Sequence, residues 1–159
     1  MITQESPAPN IKDYILGIQY GDFDNEITSS SDYGSGLVKL NCKINRPNCW
    51  LASDNDKNGY IQVNLRNGFI INAISIQGRN GCAQWVKKFR LLWSPDGKEY
   101  INLCELEGNS DYNTVVKRYL PEPIFCKGIR IQPLECHDYR CMRFELHYLL
   151  PKINKYNSN

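Results

Sequence analysis

Two histidines, His137 and His147, set an early limit on what this chain catalyses. A Ser-His-Asp or Cys-His nucleophile needs an imidazole within hydrogen-bond reach of the attacking group and a third residue to orient the ring. The nearest approach in the sequence is Cys136 beside His137, and neighbouring residues on a strand point to opposite faces. No glycine loop of the phosphate-cradling kind precedes a helical pattern. The inventory predicts a protein that binds and does not react.

Two other groups of residues offer chemistry. The run Gly21 to Thr28 packs Asp22, Asp24, Asn25 and Glu26 into one turn, a set of oxygen donors suited to a structural calcium ion, and no other cofactor is expected. Seven cysteines favour an oxidising compartment and leave at least one sulfur unpaired. The absence of CxxC removes the common redox motif and the usual half of a structural zinc site.

The elements that must position these residues read as strands. Tyr60 to Leu65, Phe69 to Gly78, Val86 to Trp93, Tyr100 to Leu103, Thr114 to Leu120, Lys127 to Gln132 and Cys141 to Tyr148 alternate or run apolar between turn residues. Ser94-Pro-Asp-Gly97 combines a fixed φ, a side chain that bonds its own backbone and a residue free to take φ > 0, which specifies a tight hairpin. No long amphipathic helix separates the strands, so an antiparallel sandwich or barrel is expected over a crossover topology. The first 58 residues are rich in Ser, Asn, Asp, Gly and Pro and read as long loops that something must pin.

Composition agrees with one folded domain. Hydrophobic residues make up 42% and charged residues 23% of 159, outside the range of disorder. A net charge of +2, with both signs interspersed, provides no field for nucleic acid. No window approaches the roughly 18 apolar residues of a membrane span. The start, Met1 to Asn10, lacks the basic and apolar regions of a secretory signal. The expected division is an N-terminal extension over 1–16, a domain over 17–150 and a flexible tail over 151–159.

From residue 17 to 149 the chain resembles the discoidin domain, also called the coagulation factor type C domain. The pieces occur in the family's order: Ile27-Thr-Ser-Ser-Ser, Val38-Lys-Leu-Asn41 before Trp50, Gly59-Tyr-Ile-Gln-Val-Asn-Leu65, Ile76-Gln-Gly-Arg79, Phe89 to Trp93 with Ser94-Pro-Asp-Gly97, Asn113-Thr-Val-Val116, Pro123-Ile124, Gly128-Ile-Arg-Ile-Gln-Pro133 and Met142-Arg-Phe-Glu-Leu146. The run Gln77 to Val86 is similar to the lectin branch. The resemblance implies an all-β jelly-roll sandwich of about eight antiparallel strands, with ligand loops at one end. The end-to-end disulfide of many members is missing, since 11–21 and 149–159 hold no cysteine. Cys136 and Cys141 are placed to close a short loop, Cys42 and Cys49 bracket another, and Cys104 and Cys126 complete the disulfide candidates.

The resemblance places recognition in three loops, Ser29 to Leu37, Cys42 to Cys49 and Arg79 to Trp85. A Cys42–Cys49 bridge would either brace a binding loop or staple one that lacks core contacts. Membrane-inserting members carry large apolar loop tips, and here Tyr33, Leu37 and Ile44 are a thin supply. Sugar binding asks for planar polar groups and an aromatic face. Tyr33, Arg46, Asn48, Trp50, Asp54, Arg79, Asn80, Trp85, His137 and Tyr139 supply these types. Trp50 and Trp85 have an alternative reading as core or loop-base packing, and Arg79 as a brace for its own loop. Arg143 and Glu145 read as a structural network at the base of the sandwich, and His147 as a surface residue. The ligand expected is a glycan or glycoprotein of the galactose or N-acetylgalactosamine class. The alternatives are a protein partner within a larger assembly and, behind it, an anionic lipid. The expected location is outside the cell or at its surface, or the cytosol if the chain is complete.

Overall fold

The computed structural model describes residues 11–152. Among them are seven strands: β1 Tyr14–Ile15, β2 Ile27–Ser29, β3 Ile61–Gln77, β4 Trp85–Ser94, β5 Ile101–Glu107, β6 Val116–His137 and β7 Arg143–Leu149. All pairings are antiparallel, in the order β1-β7-β3-β6-β4-β5, with β2 beside the start of β3. The helical residues are three single turns, at Ile18–Tyr20, Asp24–Glu26 and Lys39–Asn41.

β3 and β6 are each long enough to serve both layers of the sandwich. Their shared ladder breaks where Asn64 pairs with Gly128 and Phe69 with Cys126. At that corner Arg66 and Gly68 adopt φ of 56° and 110°. A Cβ at Gly68 would run into the Phe125 ring, so the corner requires glycine. One layer therefore contains β2, the first part of β3, the last part of β6, β4 and β5, and the other contains the remainder with β7 and β1. The sequence reading split each of these long strands in two, because the corner residues carry turn chemistry.

The core lies between the layers. Ile61, Val63 and Leu65 from one, and Ile71, Ile74, Ile76, Phe144 and Leu146 from the other, are buried in a single cluster. Each such side chain contributes roughly 1.5–3 kcal/mol relative to exposure. The hairpin forms as expected: Gly97 has φ 81° and donates its N–H to Ser94 Oγ at 2.8 Å, while Asp96 Oδ1 accepts from Lys98 and Glu99.

The long N-terminal region is pinned by its few apolar residues. Leu16, Ile18, Phe23, Ile27 and Trp50 all enter the main core. Tyr14–Ile15, expected in an extension, pairs with Tyr148 and His147 of β7. The expected tail lies outside the described residues from 153 onward.

This covering segment corrects three sequence readings. Arg143 through His147 are all buried, although the alternation placed every second one outward. Glu145 accepts the N–H groups of Ile18 and Gln19 at 3.2 and 3.0 Å, so it fixes the N-terminal turn and forms no pair with Arg143. His147 is not a surface residue: it is 8% exposed and lies 2.7 Å from Ser75 Oγ, with Asp13 on its other side. Burial and the neighbouring Lys117 push its pKa down to about 4.

Candidate functional site

β3, β6 and β7 deliver the ends of their strands to one rim, where Gln77 pairs with Arg143 and Trp85 with His137. The loops 78–84, 108–115 and 138–142 all leave from it. Residues 42–60 reach it through Trp50, which exchanges backbone hydrogen bonds of 3.0 Å with Met142 in both directions.

Arg143 holds the rim from below. Its guanidinium, 2% exposed, donates to Gly78 O at 2.6 Å, Arg46 O at 2.7 Å and Tyr112 O at 3.4 Å. One side chain thus fixes three loops, at the binding end and not at the sandwich base. Gln77 adds a second brace, bonding both the N–H and the Oδ1 of Asn45 and the carbonyl of Asn113. Loops on so rigid a base retain the freedom to vary that binding sites use.

On this base the Trp85 and His137 rings stack, with centroids 4.2 Å apart and 11° between planes. Beside them Gln84 Oε1 accepts from Arg79 Nη1 at 2.9 Å, and Gln84 Nε2 donates to Asp138 Oδ2 at 3.2 Å. The loop is tightened by Arg79 N–H to Gln84 O, 3.0 Å, and Gln84 N–H to Cys82 O, 2.7 Å. Tyr139 follows, 42% exposed, in a turn that begins at Asp138 with φ 63°. The structure therefore gathers Arg79, Trp85, His137 and Tyr139 and adds Gln84 and Asp138, which sequence reasoning missed. The placement of Gln84 directly before Trp85 and of Asp138 directly after His137 was the available signal.

The other candidates go elsewhere. Trp50 is fully buried and donates Nε1–H to Ser31 O at 3.1 Å, so it has no face open to a ligand and is a core residue. Arg46 and Asn48 line a flank groove of about 350 Å³ with Gln19, Tyr20 and Leu40. Tyr33, 43% exposed, is held by its N–H to Leu51 O at 2.8 Å. Asp54 and Asn80 are exposed and make no side-chain hydrogen bond among the described residues. Next to Tyr33 and Asp54, Asp56 accepts from Ser30 and Ser31 hydroxyls at 2.5 and 2.6 Å, which hold its carboxyl below the usual range. Leu37 and Ile44, the apolar residues considered for membrane insertion, are each 5% exposed and face inward.

The acidic turn does not form a calcium cage. Asp24 is taken by Lys43 Nζ at 2.9 Å and Glu26 by Arg66 Nε at 3.0 Å, while the Asp22 carboxylate lies against Gly17. Two of the three carboxylates are neutralised by different cations, and no group of three acidic, His or Cys residues converges among the described residues. These residues do not fit the ion.

None of the seven cysteines is bonded to another in this structure, so neither expected short bridge is formed in it. Cys42 packs in the main core, where burial raises its thiol to about 12, and Cys49 packs apart from it with Leu37, Leu51 and Cys141. Cys136 lies half-buried opposite Val86. Cys104 on β5 and Cys126 at the corner are raised to about 11 and about 12 by burial. The Ser75–His147–Asp13 contact has the residue types of a nucleophilic triad. Ser75 and His147 are only 7% and 8% exposed, and an imidazole at about 4 is a poor base near neutrality.

A sandwich with a braced polar and aromatic loop rim is the architecture of a binding module. The sequence pattern of the F5/8 type C domain matches residues 26–146, and the chain belongs to that family. It is 29% identical over 150 residues to the human EGF-like repeat and discoidin I-like domain-containing protein 3, covering 82% of this chain and 31% of the relative. It is 27% identical to discoidin-1 of Dictyostelium discoideum, covering 76% of this chain and 53% of the relative. The solved wild-type discoidin II of the same organism superposes with a TM-score of 0.72 at 26% identity, covering 83% of this chain and 56% of that one. The chain thus spans from about a third to about half of these curated relatives. The family is one of binding domains, found in lectins and in multidomain proteins, and no enzyme family is indicated for it. Among the described residues no helix is long and apolar enough to cross a membrane.

Proposed function

We propose that the loop rim binds a glycan of the galactose or N-acetylgalactosamine class, without catalysis. The observation that carries this reading is the Trp85–His137 stack bordered by the Arg79–Gln84–Asp138 chain. An indole face offers contact to the C–H side of a pyranose, while guanidinium, amide and carboxylate groups in fixed positions match vicinal hydroxyls. The inward turn of Leu37 and Ile44 supports a sugar over a lipid surface. The tyrosine exposed at the rim, Tyr139, supports a glycoprotein or protein surface as the second reading, since tyrosine is enriched at such interfaces. This function places the domain outside the cell or at its surface.

The test is calorimetric titration with galactose and N-acetylgalactosamine on the wild type, R79A and W85A. Either substitution should weaken binding at least tenfold with the circular dichroism spectrum unchanged. Equal affinity in all three proteins would remove the rim from recognition.

A further inference from the structure

Cys49 and Cys141 are neighbours whose thiols shift each other's titration in opposite directions. Both are fully buried, and with Leu37 and Leu51 they form a small apolar cluster apart from the main core. Their backbones are fixed by the Trp50–Met142 pair, which lies between them. In an antiparallel ribbon the residues flanking such a pair leave from the same face, where Cys49 and Cys141 occupy diagonal positions, Cys49 across from Arg143 and Cys141 across from Leu51. A disulfide requires two side chains on one face with Cα atoms within about 7 Å, and the shared cluster with Leu37 and Leu51 brings this diagonal pair together. The neighbouring choices are poorer: Cys42 belongs to the main core, and Cys136 sits on β6 opposite Val86.

We infer that Cys49 and Cys141 form a disulfide under oxidising conditions, joining the end of loop 42–49 to the segment after β6, beneath Arg79 and Gln84. Cys141 Sγ already donates to Gln84 Oε1 at 3.4 Å, the same atom that accepts from Arg79. The bond thus ties together two stretches of the ligand rim at the point where the third loop is braced. It stands whether or not the rim holds a glycan.

Glutathione disulfide is a sufficient oxidant. A thiolate of Cys141 attacks one glutathione sulfur and expels a glutathione thiolate. The thiolate of Cys49 then displaces the second glutathione from the mixed disulfide. Two protein thiols lose two electrons and two protons, and one glutathione disulfide becomes two glutathiones. Cys141 is the better attacking group, because the neighbouring Cys49 thiol holds its pKa below the ordinary value. With both sulfurs buried, exchange proceeds during folding or through local opening of the loop.

The experiment is peptide mapping of the full chain refolded from urea in glutathione buffer rich in the oxidised form, then blocked with iodoacetamide and cut with trypsin. Residues 44–57 and 141–143 are released as peptides with one cysteine each, since Arg46 precedes Pro47 and resists cleavage. A linked 44–57/141–143 species that separates on reduction is expected, with a Tm roughly 5–10 °C above that of the reduced protein. C49S should form no such species and show no rise in Tm attributable to it. Alkylation of both cysteines in the oxidised sample would overturn the assignment. So would a link from 44–57 to the Cys42 peptide 40–43, or from 141–143 to the Cys136 peptide 131–140.

Discussion

Replacing Arg143 with methionine removes the guanidinium from beneath the rim while keeping most of the apolar stem. Two of its hydrogen bonds are short, at 2.6 and 2.7 Å, and the third, at 3.4 Å, is weaker. Bonds of this charged type contribute roughly 1.5–3 kcal/mol each, so the two together amount to about 4 kcal/mol. Burial acts in the opposite sense. The guanidinium has no carboxylate partner among the described residues, and desolvation pulls its pKa below the ordinary value. Methionine relieves that cost, which reduces the net loss to about 2–3 kcal/mol. For a domain of this size the corresponding fall in Tm is roughly 5–10 °C. Lysine at the same position keeps the charge but offers no planar fork, and should fall between the two. Urea titration followed by tryptophan fluorescence, with a parallel thermal scan, reads both quantities. An R143M midpoint equal to that of the wild type, or R143K losing as much as R143M, would refute the claim that this one side chain fixes three loops.

His147 supplies a pH test. Its folded value of about 4 lies below the ordinary 6.5, so the unfolded chain takes up the proton first. Stability from this group is complete above about 6.5 and is lost as pH falls through about 4, by roughly 2 kcal/mol after allowance for partial screening. The difference in unfolding free energy between wild type and H147Q should change over that window. The raised Glu145 carboxyl acts in the opposite direction but is common to both proteins. Parallel pH curves would contradict this. For Trp50, W50F should cost about 1–2 kcal/mol through loss of the bond to Ser31 O and leave ligand affinity unchanged. Loss of affinity without loss of stability would instead make Trp50 a ligand contact.

The strands were legible because apolar alternation survives in the first part of β3 and in β4, and the hairpin because Asp96 and Gly97 have turn chemistry that few other structures use. The corner through Arg66 and Gly68 was not legible as a bend within one strand, since its turn residues are the same as those that end a strand. β7 misled for a different reason. Its alternation of Arg143, Glu145 and His147 with apolar residues reads as an outward polar face, whereas a sequence-distant segment, residues 13–19, covers Glu145 and His147. Long-range cover of that kind leaves no periodic trace. The same holds for the rim. Residue types suited to a sugar were visible, but the division between the Trp85 side and the Arg46 flank groove depends on how loop 42–49 is turned by Gln77 and Arg143.

The central claim is that the Trp85–His137 rim is the ligand surface. The most direct measurement is an NMR titration of the ¹⁵N-labelled domain with galactose and N-acetylgalactosamine. Saturable shifts are expected at the Trp85 indole N–H and the amides of Arg79, Gln84, Asp138 and Tyr139, with Gly68 and Phe125 at the far corner unmoved. No shift at the rim with any member of a broad glycan panel, or shifts confined to the far corner, would contradict it.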